Sequence, residues 1–353
     1  MNNHFLNYFC STLINISLRD RGVGASIDHQ QTSQHTLIMK VYTEITTLPF
    51  FPNAVVTIGT FDGVHLGHHQ IINQLKEEAS KIGGETVIIT FYPHPRKIVS
   101  SQTSPVFLLN TPAEKHALLS AQGIDHLVIV PFTAEFANQT AAEYVENFLI
   151  NHFHPHTLII GYDHKFGQGR KGDYHLLEDY AAKFGFHLIE IPQHLLHESA
   201  ISSTRIRENL QSGSLKEANE LLGYEYFFDG TVVEGNKLGR TIGYPTANLQ
   251  INYTEKLVPG NGVYAVRVTM KSLSGKSREL KGMMNIGVRP TVDGTKRVIE
   301  VNLLDFNENI YGENLRVQLV KYLRGEAKFS GLDALKEQLA KDHLSVQQLA
   351  FDT

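Results

Sequence analysis

The first half of the chain alternates short apolar runs with amphipathic segments. The apolar runs are rich in Val and Ile, as buried parallel strands are, and they lie at residues 54–58, 86–91, 124–130, 157–160 and 187–191. Segments between them repeat apolar residues at helical spacing, and two of these segments begin with capping-box patterns, at Thr111 and Thr140. The alternation predicts a doubly wound α/β fold, in which ligands bind at the carboxyl ends of the strands.

The pattern changes near residue 213. The spacing of Ser214 and Glu217 predicts a third capping box and a short helix, and after Gly223 the helical period stops. Apolar or alternating runs follow, separated by Gly, Asn and Asp turns, at 226–234, 262–270, 281–287, 297–304 and 315–321. This half is predicted to form an antiparallel β-barrel or sandwich, closed by a C-terminal helix.

These patterns divide the chain into three parts. Residues 39–213 are expected to form the α/β domain and residues 214–353 the barrel domain. Residues 1–38 are polar and lack sustained periodicity. We interpret them as a disordered leader, or as translation assigned upstream of a start at Met39, and expect no contribution to activity. A weak organellar transit peptide is the alternative, because this stretch contains arginines and few acids.

Composition excludes several classes of protein. The 353 residues are 42% apolar and 19% charged, which is typical of a globular protein. The net charge of −4 gives no support to nucleic-acid binding, and no apolar run is long enough to span a bilayer. Cys10 is the only cysteine, so a disulfide framework is excluded and the cytoplasm is the expected compartment. We expect a monomer or a weak homo-oligomer.

One stretch of the first half, from Gly59 to His68, carries most of the candidate chemistry. It reads GTFDGVHLGH and joins a predicted strand to a predicted helix. The first amides of a helix are unpaired and its dipole is positive there, so such a turn binds anions. Gly63 and Gly67 allow the backbone to approach a phosphate closely. His65 and His68 share one face of the first turn and could reach the same phosphoryl oxygens; a solvated helix end or a metal pair is the alternative.

Three further loops follow predicted strands of the same half. Pro93 and His94 belong to a rigid Pro-His-Pro loop, Asp163 belongs to a Gly-rich loop, and a segment reading SSTRIR at 202–207 runs into a helix. Hydroxyl and guanidinium groups at a helix start suit the outer phosphates of a nucleotide, because Arg binds phosphate in a bidentate manner. Each loop alone is a weak signal, and Ser-Ser-Thr is often only a helix cap.

Two segments of the second half also carry candidate chemistry. The first ends in PTAN, where Thr246 and Asn248 present neutral oxygens on one side of an extended segment. Such oxygens suit Mg²⁺, which keeps several waters and takes other ligands from substrate phosphates; alternatively, both side chains bond only the backbone. In the second segment, strand alternation places Glu300 and Asn302 on one face. Glu300 is either an acid or base in a site, or a residue of the solvated face.

Taken together, the two halves resemble the bacterial bifunctional riboflavin kinase/FAD synthetase family. The first half contains that family's GxFDGVHxGH, PHP and SSTxIR motifs; the second contains GRxxGxPTAN, MNIG at 284–287 and the strand with Glu300. The resemblance implies a Rossmann-like, HxGH-class nucleotidylyltransferase domain that adenylates FMN with ATP, giving FAD and pyrophosphate. It also implies that the barrel phosphorylates riboflavin with ATP to give FMN.

The resemblance further implies roles for individual residues. His65 and His68 would hold the α-phosphate, Glu300 would be the base for the ribityl hydroxyl, and Thr246 and Asn248 would bind Mg²⁺ with ATP. The nucleotide-binding residues would be Gly59, Phe61, Gly63, Gly67, Ser202, Ser203, Thr204, Arg207, Gly239, Arg240 and Gly243. The flavin-binding residues would be Pro93, His94, Asp163 and Asn302.

Two positions depart from the family pattern. His164 stands where a second aromatic residue is common, and Asn302 stands where His is common. Both departures leave the implied reaction class intact. Two rival interpretations are a nucleotidylyltransferase for another phosphate with a regulatory barrel, and a flavin-binding sensor or carrier without turnover. The PTAN segment with Glu300 argues against the first, and the pair of His65 and His68 argues against the second.

Overall fold

The computed structural model describes residues 39–99, 106–192, 201–235, 238–271, 277–291 and 294–349. The prediction for residues 1–38 lies outside these described residues and stays a prediction.

The first half forms a six-stranded sheet in which every strand pair is parallel. Its strands are β1 Lys40–Tyr42, β2 Val55–Ile58, β3 Thr86–Tyr92, β4 His126–Pro131, β5 Thr157–Gly161 and β6 His187–Ile191, in the order β1-β4-β3-β2-β5-β6. Its α-helices are α1 Leu66–Ile82, α2 Arg96–Val99, α3 Pro112–Ala121, α4 Ala134–Ala137, α5 Ala141–Glu143, α6 Asn151–Phe153 and α7 Tyr174–Phe184. A π-helical stretch, Tyr144–Ile150, joins α5 to α6, and 3-10 turns lie at Ile45–Thr47 and Gln168–Arg170.

Helices cover both faces of this sheet, which confirms the doubly wound fold. On one face, Val55 of β2 belongs to the apolar cluster that contains Leu75 of α1. On the other face, Val56 belongs to the cluster that contains Phe148 and Leu177. Neighbouring strand residues point to opposite faces, so the continuous apolar runs of the sequence follow from burial on both sides.

The predicted capping boxes are confirmed in two cases and wrong in the third. At Thr111 and Thr140, the hydroxyl accepts the expected amide hydrogen bond, and a glutamate completes each box. Ser214 makes no capping hydrogen bond. Its ψ of 57° departs from the extended conformation of the other caps, and its hydroxyl accepts a hydrogen bond from Ser212 instead.

The second half contains a closed barrel of six antiparallel strands, in the order β10-β11-β8-β7-β12-β9. The strands are β7 Phe227–Val233, β8 Ala247–Gln250, β9 Gly262–Lys271, β10 Ser277–Thr291, β11 Gly294–Leu303 and β12 Asn314–Arg324. The helices that precede, interrupt and follow them are α8 Ser203–Ser212, α9 Leu215–Leu222, α10 Leu238–Thr241 and α11 Leu332–Gln347. The predicted barrel and C-terminal helix are therefore confirmed.

A buried carboxylate attaches the C-terminal helix to the barrel. Asp342 of α11 is 4% exposed and accepts hydrogen bonds of 2.7–3.2 Å from Arg324 of β12. Val346 of the same helix packs in a cluster with Met283 and Leu304. The helix therefore covers part of the outer surface of the barrel.

The domain boundary predicted at residue 213 falls within one apolar cluster. Ile206 and Leu210 of α8 and Leu222 of α9 are buried together with barrel residues such as Tyr226. The helix α8 therefore packs against residues of the barrel half, although the same cluster also contains Leu109 of the first half. The boundary itself stays a prediction.

We expect a fragment that begins at residue 201 to be more stable than one that begins at residue 214. The longer fragment retains Ile206 and Leu210, and burying an aliphatic side chain of this size contributes about 1.5–3 kcal/mol. Urea unfolding of both fragments should give a larger free energy of unfolding for the longer one. Changing Ile206 and Leu210 to Ala should remove that advantage. Equal stability of the two unmodified fragments would show that α8 is not part of the barrel unit.

Candidate active sites

The carboxyl ends of the parallel strands bring the predicted loops of the first half together. β2 lies between β3 and β5. From β2 the chain adds β3 on one side, and it later adds β5 on the other side. Open α/β sheets bind ligands at such a reversal of strand order. The loop at 59–68 follows β2, the Pro-His-Pro loop follows β3, and Asp163 follows β5. The start of α8 reaches the same place, because a Cβ added to Gly67 would lie 3.7 Å from the Cβ of Ile201.

The two histidines of the motif stack at the start of α1. Their ring centres are 3.7 Å apart and the rings are nearly parallel, at 13°. His65 is the N-cap of α1, and its Nδ1 accepts a hydrogen bond of 3.3 Å from the amide of His68. A neutral His65 therefore carries its proton on Nε2, where it can be donated to an oxygen. The buried Nδ1 of His68 has no hydrogen-bond partner within the described part of the chain.

Both histidines are neutral near pH 7 in the protein without ligands. Burial lowers the pKa of His65 to about 4, although the nearby carboxylate of Asp62 opposes the shift. Burial also holds the pKa of His68 well below its usual value, and the charges of His65 and Lys115 act in the same direction. A bound polyphosphate would oppose these shifts, because a nearby negative charge favours the protonated ring.

The carboxylate of Asp62 joins the motif to two other segments. Asp62 is 1% exposed and accepts hydrogen bonds from the amides of Leu109 (2.9 Å) and Asn110 (3.3 Å). It also forms an ion pair with the guanidinium of Arg207. The backbone carbonyl of Asp62 accepts a hydrogen bond of 2.9 Å from the hydroxyl of Ser203. The motif is thus fixed to α8 and to the segment before α3.

The glycines of the motif are required by close approach of neighbouring side chains. Gly63 has a φ of +89°, and a Cβ there would lie 2.7 Å from Cδ1 of Leu109. A Cβ on Gly67 would lie 3.2 Å from the ring of His65. Phe61 adopts a φ of +46° while fully buried, with its ring against Gly59. These four residues shape the turn, and their expected contact with a nucleotide stays a prediction.

The predicted phosphate-binding residues of α8 already have bonds within the protein. Ser202 is the N-cap, and its hydroxyl accepts a hydrogen bond of 3.2 Å from the amide of Arg205. Arg207 donates from Nε to the carbonyl of Phe107 (2.8 Å) and from Nη2 to Oδ2 of Asp62. Thr204 is exposed. To bind phosphate, Arg207 would have to keep its ion pair with Asp62 and contact the nucleotide at the same time.

The predicted flavin-binding residues of the first half lie at the same edge of the sheet with different exposures. His94 is 8% exposed, and its Nδ1 accepts a hydrogen bond of 3.2 Å from the amide of Arg96. Burial lowers its pKa to about 4, with the charge of Asp62 opposing. Pro93 is half-buried, and Asp163 is exposed at the tip of its loop. The fold thus brings Pro93, His94 and Asp163 to one edge of the sheet, and their contact with a flavin stays a prediction.

His164 occupies a largely apolar position beside Asp163. Its ring lies 5.8 Å from that of Phe166 with an angle of 29° between the planes. Its buried Nε2 has no hydrogen-bond partner among the described residues, and burial lowers its pKa to about 4. The departure from the family pattern thus leaves one polar nitrogen unsatisfied.

The second site lies on the outer face of β11. Val301 belongs to the apolar core of the barrel, so Glu300 and Asn302 face the other way, as predicted. Glu300 is in register with Asn248 of β8 and with Asn285 of β10. Residues directly opposite across antiparallel strands have neighbouring side chains. The predicted base and one predicted metal ligand are therefore adjacent.

Arg289 is a site residue that the sequence analysis missed. Its Nη2 donates to Oε2 of Glu300 at 2.5 Å, and the two side chains are 39% and 14% exposed. The signal that could have found it is its position two residues beyond Gly287 of the MNIG segment. The ion pair fixes the orientation of a carboxylate that remains accessible.

Asn302 positions the loop that carries Thr246. It is 6% exposed, and its Nδ2 donates to the carbonyl of Pro245 at 2.7 Å. The side-chain amide of Asn248 packs closely against Gly235. A Cβ added to Gly235 would lie 2.0 Å from Nδ2 of Asn248. These contacts constrain the positions of Thr246 and Asn248, the two predicted metal ligands.

The Gly-Arg segment of this half forms a tight turn at α10. The carbonyl of Gly239 accepts hydrogen bonds from the amides of Ile242 (3.2 Å) and Tyr244 (2.8 Å). Gly243 has a φ of +87°, and Arg240 is exposed. The turn leads directly to Thr246, and its contact with a nucleotide stays a prediction.

Within the described ranges, no group of three or more His, Cys, Asp or Glu side chains is placed to hold a metal ion. A metal pair at His65 and His68 therefore gains no further ligands of these types.

No helix in the part of the chain that the structure describes is both long and apolar enough to cross a membrane.

Comparison with known proteins relates each half of the chain to a family. A family model described as FAD synthetase matches residues 49–205, and one described as riboflavin kinase matches residues 222–350. A bifunctional riboflavin kinase/FMN adenylyltransferase from Haemophilus influenzae is 38% identical over 287 residues, which cover 81% of this chain and 91% of that protein. The chain belongs to the bifunctional riboflavin kinase/FMN adenylyltransferase family.

Further similarities cover both halves of this family member. A protein of the same description from Listeria monocytogenes is 38% identical over 291 residues, covering 82% of this chain and 90% of that protein. A crystal structure described as a macrolide-efflux protein from Streptococcus pneumoniae matches with a TM-score of 0.79 and 31% identity, over 89% of this chain and 100% of that one. The predicted family, with its transferase domain before its kinase domain, is confirmed.

We predict that His164→Phe makes the first half less sensitive to acid. Folded His164 has a pKa of about 4, whereas an unfolded His titrates near 6.5. Between these values only the unfolded state binds the proton, so the free energy of unfolding falls as pH decreases, by up to about 1.4 kcal/mol per pH unit. Phe cannot titrate. The melting temperature of the variant should therefore exceed that of the parent by a margin that grows from pH 6.5 to pH 4.

His175→Phe is the control for this experiment, because His175 lies exposed on α7. A margin for His164→Phe that stays constant across this pH range would contradict the prediction.

Proposed function

We propose that the two reactions of the family occur at the two sites described above. ATP-dependent adenylation of FMN takes place beside His65 and His68, and ATP-dependent phosphorylation of riboflavin takes place beside Glu300. The observation that supports this division most strongly is the register of β8 and β11, because it places Glu300 opposite Asn248 within the barrel. The kinase residues thus form one group that contains no residue of the parallel sheet.

In the first half, the histidines stabilise charge at the α-phosphate of ATP. A phosphate oxygen of FMN bonds to the α-phosphorus while the bond to the bridging oxygen breaks, and pyrophosphate leaves. Negative charge develops on the α-phosphoryl oxygens, and preorganised donors stabilise it. His65 offers Nε2–H, since its Nδ1 is held by the amide of His68. The unpartnered Nδ1 of His68 gains a partner if it donates to the same phosphoryl group.

On the barrel, Glu300 is the general base. Its carboxylate accepts the proton of the terminal ribityl hydroxyl, whose oxygen bonds to the γ-phosphorus of ATP as ADP leaves. Arg289 occupies Oε2 of Glu300, so we assign Oε1 to the hydroxyl. With its side chain 39% exposed, Arg289 is also accessible to the transferred phosphoryl group.

Thr246 and Asn248 are assigned to Mg²⁺ bound with ATP. They offer neutral oxygens, as this ion accepts, beside the carboxylate of Glu300. The contacts of Asn302 with Pro245 and of Asn248 with Gly235 hold these donors in place before any ligand binds. When bound, the ion would neutralise phosphate charge; the proton transfer is assigned to Glu300.

The remaining assignments are also part of this proposal. Riboflavin, FMN and ATP are the partners, no nucleic acid is bound, and the protein acts in the cytoplasm as a monomer or weak homo-oligomer. The domains are residues 39–213 and 214–353. Nucleotide contacts are assigned to Gly59, Phe61, Gly63, Gly67, Ser202, Ser203, Thr204, Arg207, Gly239, Arg240 and Gly243, and flavin contacts to Pro93, His94, Asp163 and Asn302.

Single substitutions should separate the two reactions. Glu300→Gln should slow FMN formation by about 10²–10⁴, as loss of a general base does, and should leave the adenylation of supplied FMN intact. His68→Ala should slow FAD formation by roughly 10²–10³, the cost of losing one oxyanion donor, so that FMN accumulates from riboflavin. Chromatography of the flavins after incubation with ATP and Mg²⁺ measures both steps.

His69→Ala is the matched control, since His69 is the next residue of α1 and has no assigned role. Circular dichroism should confirm that each variant is folded. If either Glu300→Gln or His68→Ala abolishes both steps in a folded protein, the two reactions share one centre and the division proposed here is wrong.

A further inference from the structure

The segment at 108–111 belongs to the first half of the chain but packs into the barrel half. Leu109 is fully buried in the same apolar cluster as Tyr226 and Leu257. The amide of Leu108 donates to the carbonyl of Glu255 (2.7 Å), and the amide of Leu257 donates to the carbonyl of Leu108 (2.8 Å). A strand-like connection thus joins the two halves next to the adenylyl-transfer motif.

Lys256 lies at the centre of this connection. It is 2% exposed, and its Nζ donates to the carbonyl of Leu109 and to Oε2 of Glu114, each at 2.6 Å. The ammonium also lies 4.6 Å from the ring centre of Tyr226. Burying an ammonium is expensive unless it is paired and hydrogen-bonded. Both oxygen partners named here belong to the first half.

The Leu109 peptide is held from both sides. Its carbonyl accepts from Lys256, and its N–H donates to the carboxylate of Asp62 at 2.9 Å. Asp62 lies three residues before His65 and is the point at which the loops of the site meet. A second barrel-half side chain reaches the motif directly, because the hydroxyl of Tyr224 donates to the carbonyl of Gly63 at 2.6 Å.

We propose that Lys256 and Tyr224, both from the kinase half, are positioning residues for adenylyl transfer in the other half. Lys256 fixes the peptide that holds Asp62, and Tyr224 fixes the turn that leads to the stacked histidines. Within the described ranges, no hydrogen bond or ion pair joins either residue to Glu300, Thr246 or Asn248 of the proposed kinase site. This inference rests on the proposed role of His65 and His68.

The test removes both buried charges at once. Lys256→Met alone would leave the carboxylate of Glu114 buried without an opposite charge. Glu114→Gln removes that charge but keeps an oxygen that can accept the Thr111 amide in the capping box. In the full chain, Lys256→Met with Glu114→Gln should lower kcat for FMN adenylation by about 10- to 100-fold, because small displacements of reacting groups have effects of this size. The kinase rate should equal that of the parent, and the Leu109 amide should exchange its hydrogen faster.

Tyr224→Phe gives a second, independent result because it retains both buried charges. Loss of one hydrogen bond should reduce adenylation roughly threefold to tenfold, again without change in the kinase rate. Lys97→Met is the control: Lys97 pairs with Glu255 across the same interface but does not contact the Leu109 peptide. It should adenylate FMN at the parent rate.

Parental adenylation in the folded double variant would reduce the Lys256–Glu114 pair to a structural contact and overturn the role of Lys256. Parental adenylation in Tyr224→Phe would overturn the role of Tyr224. This result can be obtained even if the double variant does not fold. Equal losses in both reactions would overturn the proposal as well. Failure of this inference can be distinguished from failure of the proposed function. If the proposed function is wrong, His68→Ala retains FMN adenylation, whatever the adenylation rates of the Lys256 and Tyr224 variants.

Discussion

The buried carboxylate of Asp62 makes the interactions on which the proposed adenylyl-transfer site depends. A charge at 1% exposure is stable only with hydrogen bonds and an opposite charge, and here two amides and Arg207 supply them. The partners come from the segment before α3 and from α8, so one side chain fixes three loops around the stacked histidines. The positive φ values of Phe61 and Gly63 show how tightly this turn is constrained.

Asp62 and Glu300 each pair with an arginine, but the two pairs differ in exposure, and this difference distinguishes a structural role from a chemical one. The side chain of Asp62 is 2% exposed and that of Arg207 is 14% exposed, so this pair organises the loop. The side chain of Glu300 is 14% exposed and that of Arg289 is 39% exposed. The second pair can meet a substrate, which is why a catalytic role is assigned to Glu300 and not to Asp62.

The sequence predicted the features that depend on local patterns. The Val- and Ile-rich runs located β2 to β5 because those strands are largely buried on both faces, and a similar run located the edge strand β6, which is more exposed. Alternation placed Glu300 and Asn302 on one face of β11. β1 has only three residues and β8 has one buried residue, so neither produces a recognisable period. The roles of Arg289 and Lys256 depend on tertiary contacts; Lys256 and Glu114 are 142 residues apart. Local sequence signals cannot reveal such pairs.

The most direct test of the central claim is the rate of each reaction in Asp62→Asn. Asparagine keeps the shape of the side chain but removes the charge opposite Arg207. We predict that FMN adenylation falls by on the order of 10²-fold, because the histidines are no longer held in place, while riboflavin phosphorylation proceeds at the parent rate. A folded Asp62→Asn protein that adenylates FMN as fast as the parent would contradict this claim.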